Sequence, residues 1–362
     1  MDKCRRIEKA GIISFIVVLL GCTNIGIKAQ SPTQKTDQTK KTGVEQKSGK
    51  KGGTAEEPVI DVSDDILKID TGFVRLDVTV IDQNNTPIND LKKENFTVLE
   101  NKIPQIIDSV STEEAAISFG LVLDTSSSMR SKIYTVKEAA RGLLGQLKPE
   151  DEGFLAEFNY NTQLVYNFTT DKSKLQKSLD VLRTGGGTAL LDAIINSSEY
   201  TAQKGRLRKK AIIIISDGLE KNSSLREKEV LDAIYENEVQ IYLVGFIDDG
   251  TSGDILIDDE NKKARDLLTR LADSSGGRAF FPKDVDEMPA IADQIAKDLR
   301  TQYVINYYPS NEKRDGTYRA VKVLVKSDDN RKLIARTRMG YFAREDQDGP
   351  QKDGGKHTEI RQ

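Results

Sequence analysis

Between residues 58 and 112 apolar and polar side chains take turns. Val74, Leu76, Val78 and Val80 fall on one side of an extended chain and Arg75, Asp77 and Thr79 on the other, the two-residue period of a half-buried strand. Asp82-Gln-Asn-Asn-Thr-Pro87 supplies turn chemistry, and Phe96–Leu99 with Gln105–Val110, joined through Glu100-Asn101-Lys102, predicts a hairpin. From residue 116 to 302 the pattern changes to unbroken apolar runs separated by stretches of helical period, which predicts an α/β domain with a doubly wound sheet. Helices are expected near 131–147, 171–182, 189–203, 225–237, 262–274 and 286–302. Strands at 153–158 and 163–168, facing each other across Asn159-Tyr-Asn161, form the expected antiparallel edge. Strands return at Tyr303–Tyr308, Thr317–Lys326 and Lys332–Met339. Three strands alone are marginal, so residues 303–343 are expected to pack with the strands of 58–112 into one β-sandwich-like module, with the α/β domain inserted.

The ends of the chain read differently. Lys3, Arg5, Arg6 and Lys9 precede an apolar run, Ile12 to Leu20, too short to span a bilayer comfortably, so residues 1–29 are expected to be an export signal. Two endings fit it. Leu19-Leu20-Gly21-Cys22 resembles a bacterial lipoprotein cleavage box, which would anchor the chain through Cys22, and Ile27-Lys28-Ala29 before Gln30 resembles an ordinary signal-peptidase site. Residues 30–57 hold almost no apolar side chains and read as a disordered linker, and the charged, Gly-rich stretch 344–362 as a disordered tail. Cys4 and Cys22 are the two cysteines, so no disulfide staples the fold. A net charge of −3 argues against a nucleic-acid partner.

Candidate chemistry gathers at the carboxyl ends of the apolar runs. Phe119-Gly-Leu-Val-Leu-Asp124-Thr-Ser126-Ser-Ser128 delivers one carboxylate and two hydroxyls in alternation, oxygen donors of the kind hard cations take. Alone, that spacing reads as an ordinary serine-rich turn. Gly185-Gly-Gly187-Thr188 adds a hydroxyl after a glycine loop, and Ala211-Ile-Ile-Ile-Ile-Ser216-Asp217 adds a carboxylate after a second buried strand. In open α/β sheets ligands collect outside those strand ends, where the strand order reverses.

This combination resembles the metal-ion-dependent adhesion site, or MIDAS, of von Willebrand factor type A (vWA) domains. The family's pattern falls on Asp124, Ser126, Ser128, Thr188 and Asp217 without departure. The resemblance implies Mg²⁺, with Mn²⁺ or Ca²⁺ as substitutes, and a protein partner that presents an Asp or Glu carboxylate to the cation. Leu91-Lys-Lys-Glu-Asn-Phe96 resembles the opening module of a vWA-related group of secreted bacterial proteins abundant in acidobacteria.

Other polar stretches have plainer readings. Lys204–Lys210 precedes a strand and reads as a solvated loop at the opposite end of the sheet. The acidic stretch 248–260 lies on the same rim as the candidate site but lacks the spacing of a calcium loop, and is expected to be surface rather than a second cation site.

An enzyme is not expected. The only histidine is His357, in the tail, no P-loop lysine follows Gly185–Thr188, and no Gly-x-Ser-x-Gly elbow occurs. The expected function is an exported, metal-dependent protein-binding module for adhesion or complex assembly. The alternatives are a scaffold with a purely structural metal and a non-catalytic accessory subunit of an enzyme complex.

Overall fold

Ile117–Asp124 is buried at every position, and a strand buried on both faces needs helices above and below it. The computed structural model describes residues 72–343 apart from 219, 248–254 and 330. The expected signal, linker and tail, and the opening of the 58–112 segment, lie outside the described residues.

In chain order the elements are β1 (Val74–Ile81), β2 (Phe96–Glu100), β3 (Ile103–Gln105), β4 (Ile107–Glu113), β5 (Ile117–Asp124), α1 (Ile133–Gly145), β6 (Glu152–Phe158) and β7 (Thr162–Thr169). There follow α2 (Lys172–Ser178), α3 (Leu190–Lys204), β8 (Lys209–Ser216), α4 (Glu227–Asn237), β9 (Gln240–Gly245), α5 (Ile255–Ser274), β10 (Arg278–Phe280) and α6 (Met288–Arg300). The chain closes with β11 (Gln302–Tyr307), β12 (Tyr318–Val325), β13 (Ile334–Arg336) and β14 (Gly340–Phe342).

The central sheet has the order β10-β9-β8-β5-β6-β7. All its pairings are parallel except that of the edge strand β7, which runs antiparallel to β6 as the hairpin pattern requires. From β5 the chain steps to β6 on one side and later to β8 on the other, which makes the carboxyl end of β5 the topological switch point. Helices cover both faces. α1 turns Val136, Ala139, Ala140, Leu143 and Leu144 inward at helical spacing, against Leu121 and Leu123 of β5 and against α6. On the other face α3, α4 and α5 pack over Val122, Ile212 and Ile214.

The two flanks of the chain form a pair of four-stranded sheets, β13-β1-β11-β4 and β14-β12-β2-β3, with Leu76, Val78, Phe96, Val98, Ile305 and Val323 in the shared core. The sandwich-like arrangement expected from the alternation is therefore present, and its strands interleave. β11 lies between β1 and β4, and β12 between β14 and β2. Deleting residues 302–343 strips two strands from each sheet, β11 and β13 from one and β12 and β14 from the other, so the remaining 72–113 segment should become protease-sensitive while residues 117–300 stay protected. Limited proteolysis of the truncated protein checks this, and full protection of 72–113 would contradict it.

Several local expectations are corrected. The strand expected over Gln105–Val110 breaks at Ile106, which is 86% exposed between buried Gln105 and Ile107. β3 pairs with β2 in one sheet and β4 with β11 in the other, so the chain changes sheet there. The turn before β3 carries Asn101 and Lys102 at φ 49° and 69°, the pair of left-handed residues a tight hairpin takes. Of the strand expected over Lys332–Met339 only Ile334–Arg336 forms, as β13 beside β1, and the separate β14 follows at Gly340–Phe342 beside β12. α5 begins at Ile255, before the expected 262. Lys204–Lys210 is not simply solvated. Lys209 is buried with its Nζ donating to the Leu299 carbonyl, and Arg206 pairs with Glu152, whose side chain is 1% exposed.

Candidate metal centre

Asp124 is the last residue of β5, held where its strand leaves the sheet. The chain turns there because the Asp124 carboxylate bonds its own loop. Oδ1 accepts the Ser126 N–H at 2.8 Å, and Oδ2 accepts the Ser216 hydroxyl at 2.6 Å from the end of the neighbouring β8. The Ser126 and Ser128 hydroxyl oxygens stand 3.0 Å apart. Thr125 fixes the other side of the loop, its N–H donating to the Phe158 carbonyl at 2.8 Å.

The glycine loop is laced to this turn by backbone bonds. Gly185 N–H donates to the Thr125 carbonyl at 2.7 Å, and Ser127 N–H to the Gly186 carbonyl at 3.2 Å. Gly186 sits at φ 88°, a conformation that favours glycine, and a Cβ on Gly187 would fall 2.1 Å from Asn222 Oδ1. Thr188 is in turn bound to the loop after β8. Its N–H donates to Asn222 Oδ1 at 3.0 Å, and its carbonyl accepts the Lys221 and Asn222 N–H groups at 3.2 and 3.0 Å. Asp217 follows Ser216 directly, and Gly218, at φ 75°, returns its N–H to the Ser216 hydroxyl at 3.0 Å.

Three chain segments, 124–128, 185–188 and 216–222, thus converge at the carboxyl ends of β5 and β8. Asp124, Ser126, Thr188 and Asp217 are buried, at 0, 1, 4 and 5% exposure, while Ser128 is exposed at the mouth. Asp124 is enclosed, not at an open rim as the strand-end position suggested. Burial pushes its carboxyl up to about 6 and nearby Asp217 adds to the rise, against hydrogen bonds from Ser126 and Ser216 that hold it down. The Asp124 carboxylate is hydrogen-bonded by two neutral donors, the Ser126 N–H and the Ser216 hydroxyl. Among the described residues no group of three or more His, Cys, Asp or Glu side chains is placed to hold a metal, so a cation here must draw on hydroxyl oxygens. A set of two carboxylates and three hydroxyls fits a hard divalent cation, which takes oxygen ligands and keeps waters.

The raised carboxyl sets a pH dependence. Asp124 binds its proton more tightly folded than unfolded, so its contribution to stability is full below pH 4 and is lost as pH rises through about 6. Without divalent cations that loss is on the order of 3 kcal/mol between pH 4 and pH 6, and saturating Mg²⁺ should restore it above pH 6. Urea unfolding midpoints across that range, with Mg²⁺ and with chelator, test the crossover.

The sequence reading missed the supports of the site. Ser216 orients Asp124, and Asn222 orients Thr188. Asp192, in the first turn of α3, accepts the N–H groups of Ser224 and Leu225, while Glu220 and Ser223 receive the Leu191 N–H. Only Ser216 gave a signal, a hydroxyl ending an otherwise apolar strand. The described part of the acidic stretch 248–260 lies on α5, where Asp259 pairs with Lys263 at 2.6 Å on an exposed face, an ordinary i,i+4 surface pair. Asp248, Asp249 and Asp254 lie outside the described residues.

Residues 120–294 match the model of the von Willebrand factor type A domain. No curated protein matches the chain. Among solved structures the chain is similar to a von Willebrand factor type A protein from Catenulispora acidiphila, at 12% identity over 75% of this chain and 74% of that one, TM-score 0.43. It is similar also to BatB from Bacteroides thetaiotaomicron, at 18% identity over 51% of this chain and 100% of that one, TM-score 0.41. A third is proximal thread matrix protein 1 from the mussel byssus, solved with a zinc-occupied MIDAS motif, at 15% identity over 54% and 48% of the two chains, TM-score 0.43. The vWA domain is a protein-interaction module that often carries a MIDAS, and the sheet order, the helices on both faces and the matched span agree on it. Residues 120–294 of the chain form a von Willebrand factor type A domain.

Proposed function

We propose that Asp124, Ser126, Ser128, Thr188 and Asp217 hold one divalent cation, Mg²⁺ first and Mn²⁺ or Ca²⁺ as substitutes, and that the cation accepts an Asp or Glu carboxylate from a protein partner. The observation that carries this reading is the enclosed Asp124 carboxylate, bonded to neutral groups, at the meeting point of three chain segments. A cation bound mostly by neutral oxygens stays electron-poor, and an acidic side chain is the ligand that best completes it. Without the cation the same partner carboxylate would meet Asp124 and Asp217 as like charges, so metal loss should abolish binding rather than weaken it.

The protein is in this reading an exported adhesion or complex-assembly factor, carried out by residues 1–29 and, in the lipoprotein version, anchored through Cys22. The linker 30–57 and tail 344–362 then flank a body made of the domain 116–302 and its β segments. vWA domains are mostly non-enzymatic, and the described residues contain no histidine or cysteine to serve acid–base or thiol chemistry. A purely structural cation is the competing reading. Cross-linking on intact cells with and without chelator separates the two. Capture of the same protein in both conditions would leave a structural metal and overturn metal-mediated binding.

A further inference from the structure

The rim beside the candidate centre holds aromatic surface open to solvent. Tyr160, in the turn between β6 and β7, is 59% exposed, and Tyr134, in the first turn of α1, is 74% exposed. Both stand at the carboxyl edge of the sheet, since β6 runs parallel to β5 with Phe158 level with Asp124 and α1 follows the loop that leaves Asp124.

Tyr160 is firmly placed. Its N–H donates to Asn159 Oδ1 at 2.6 Å, the Asn159 N–H to the Asn161 carbonyl at 3.2 Å, and the Asn159 carbonyl accepts the N–H of Ala189, the neighbour of Thr188, at 2.8 Å. The ring rests against the glycine loop, where a Cβ on Gly187 would come within 2.5 Å of it and one on Gly186 within 3.0 Å. The two glycines are therefore a floor under the ring as well as a turn. A ring that served only to pack that floor would be covered. Tyr160 as a whole residue is instead 59% exposed, and apolar surface left in water costs roughly 25 cal/mol for each Å². Tyrosines so held are the common anchors of binding surfaces, because they offer a large rigid face with little entropy to lose.

We infer that the partner segment read by this site is an acidic residue with an apolar or aromatic neighbour, and that Tyr160 is the contact that selects the neighbour. The inference rests on the metal-mediated reading above and adds the chemistry of the flanking position. Ser127 N–H donates to the Gly186 carbonyl at 3.2 Å, so a partner carboxylate bound at the mouth beside Ser128 would have its neighbouring side chain within reach of the Gly186–Gly187 loop and the Tyr160 ring against it. Arg130 and Lys221 are also exposed, which makes a second acidic residue at the flank the outcome the test must separate from this one.

Two displayed peptide libraries decide between these, each with random flanks around one fixed residue, Asp in the first and Asn in the second, panned on the whole protein in Mg²⁺ and in chelator. The expected result is recovery of the Asp library alone, in Mg²⁺ alone, with Phe, Tyr, Leu or Ile enriched roughly tenfold or more at one flank, the scale of a hot-spot contact. Tyr160→Ser should erase that enrichment while keeping the Asp preference and an unchanged Mg²⁺ titration, and Tyr160→Phe should retain it. Equal recovery of both libraries, or recovery in chelator, would defeat the metal-mediated reading and this inference with it. An Asp preference with unselective or acidic flanks, or an apolar preference that survives Tyr160→Ser, would overturn this inference alone.

Discussion

Asp124→Ala should reduce Mg²⁺ binding to an undetectable level in a calorimetric titration. The substitution removes one of the two carboxylates at the site, and the three remaining candidates beside Asp217 are neutral hydroxyls, which leaves too little charge to offset the dehydration of Mg²⁺. It also acts on the fold. The Ser216 hydroxyl and the Ser126 N–H lose their acceptor inside a closed site, at about 1–3 kcal/mol for each group left unpaired, partly offset by release of a buried charge. Asp124→Asn separates the two effects, since the amide oxygen can keep one bond while the charge is gone. That variant should fold at least as well as the metal-free parent and still fail to bind Mg²⁺. Thr188→Ala should weaken binding less, because a neutral oxygen is removed and the backbone bonds from Thr188 to Asn222 remain. Asp192 is unsuitable as a neutral control, since it holds the N–H groups of Ser224 and Leu225. A surface position such as Glu138 serves better.

Glu100→Ala should be the most destabilising single change in the β module, by about 3–5 kcal/mol, the cost of leaving the buried Arg319 charge without its counter-ion, with only the Asn311 and Lys313 carbonyls as acceptors. Glu100 and Arg319 are both 2% exposed, with Nη1 donating to Oε1 at 3.2 Å. Tyr307 and Tyr341 donate their hydroxyls to the other oxygen at 2.8 Å each, so one carboxylate anchors three side chains from β11, β12 and β14. Burial raises both tyrosines, with the Glu100 charge adding to the effect, so they remain neutral donors throughout the working pH range. Denaturant unfolding of Glu100→Ala against Glu100→Gln measures the loss, and a change below about 1 kcal/mol would contradict the account. The double replacement Glu100→Met with Arg319→Leu should recover much of it, because no ion is then stranded. Mg²⁺ affinity should be unchanged in all of these, the substitutions lying in a different core from the candidate centre.

The parts legible in the sequence were those written in local pattern. Unbroken apolar runs marked β5 and β8, the alternation of β1 marked its buried face, and Asn159-Tyr-Asn161 marked the antiparallel edge. Partner choice between sheets was hidden. A two-residue period says which face of a strand is buried, not which neighbour it joins, so neither the crossing at Ile106 nor the division between β13 and β14 left a local trace. Long-range charge pairing was hidden for the same reason, Glu100 meeting Arg319 across 219 positions. At the candidate centre the five oxygen side chains stood out by type and position. Asn222 and Asp192 did not, because they act on backbone N–H groups of other segments, contacts that exist only once the chain has folded.

The claim on which the rest depends is that one cation sits among Asp124, Ser126, Ser128, Thr188 and Asp217. Crystals soaked in Mn²⁺ and measured at its absorption edge locate that ion directly by anomalous scattering. The expected result is a single strong peak in coordination contact with Ser126 and Ser128, absent from Asp124→Asn crystals treated the same way. A peak confined to the acidic stretch 248–260, or equal peaks in the parent and the variant, would contradict it.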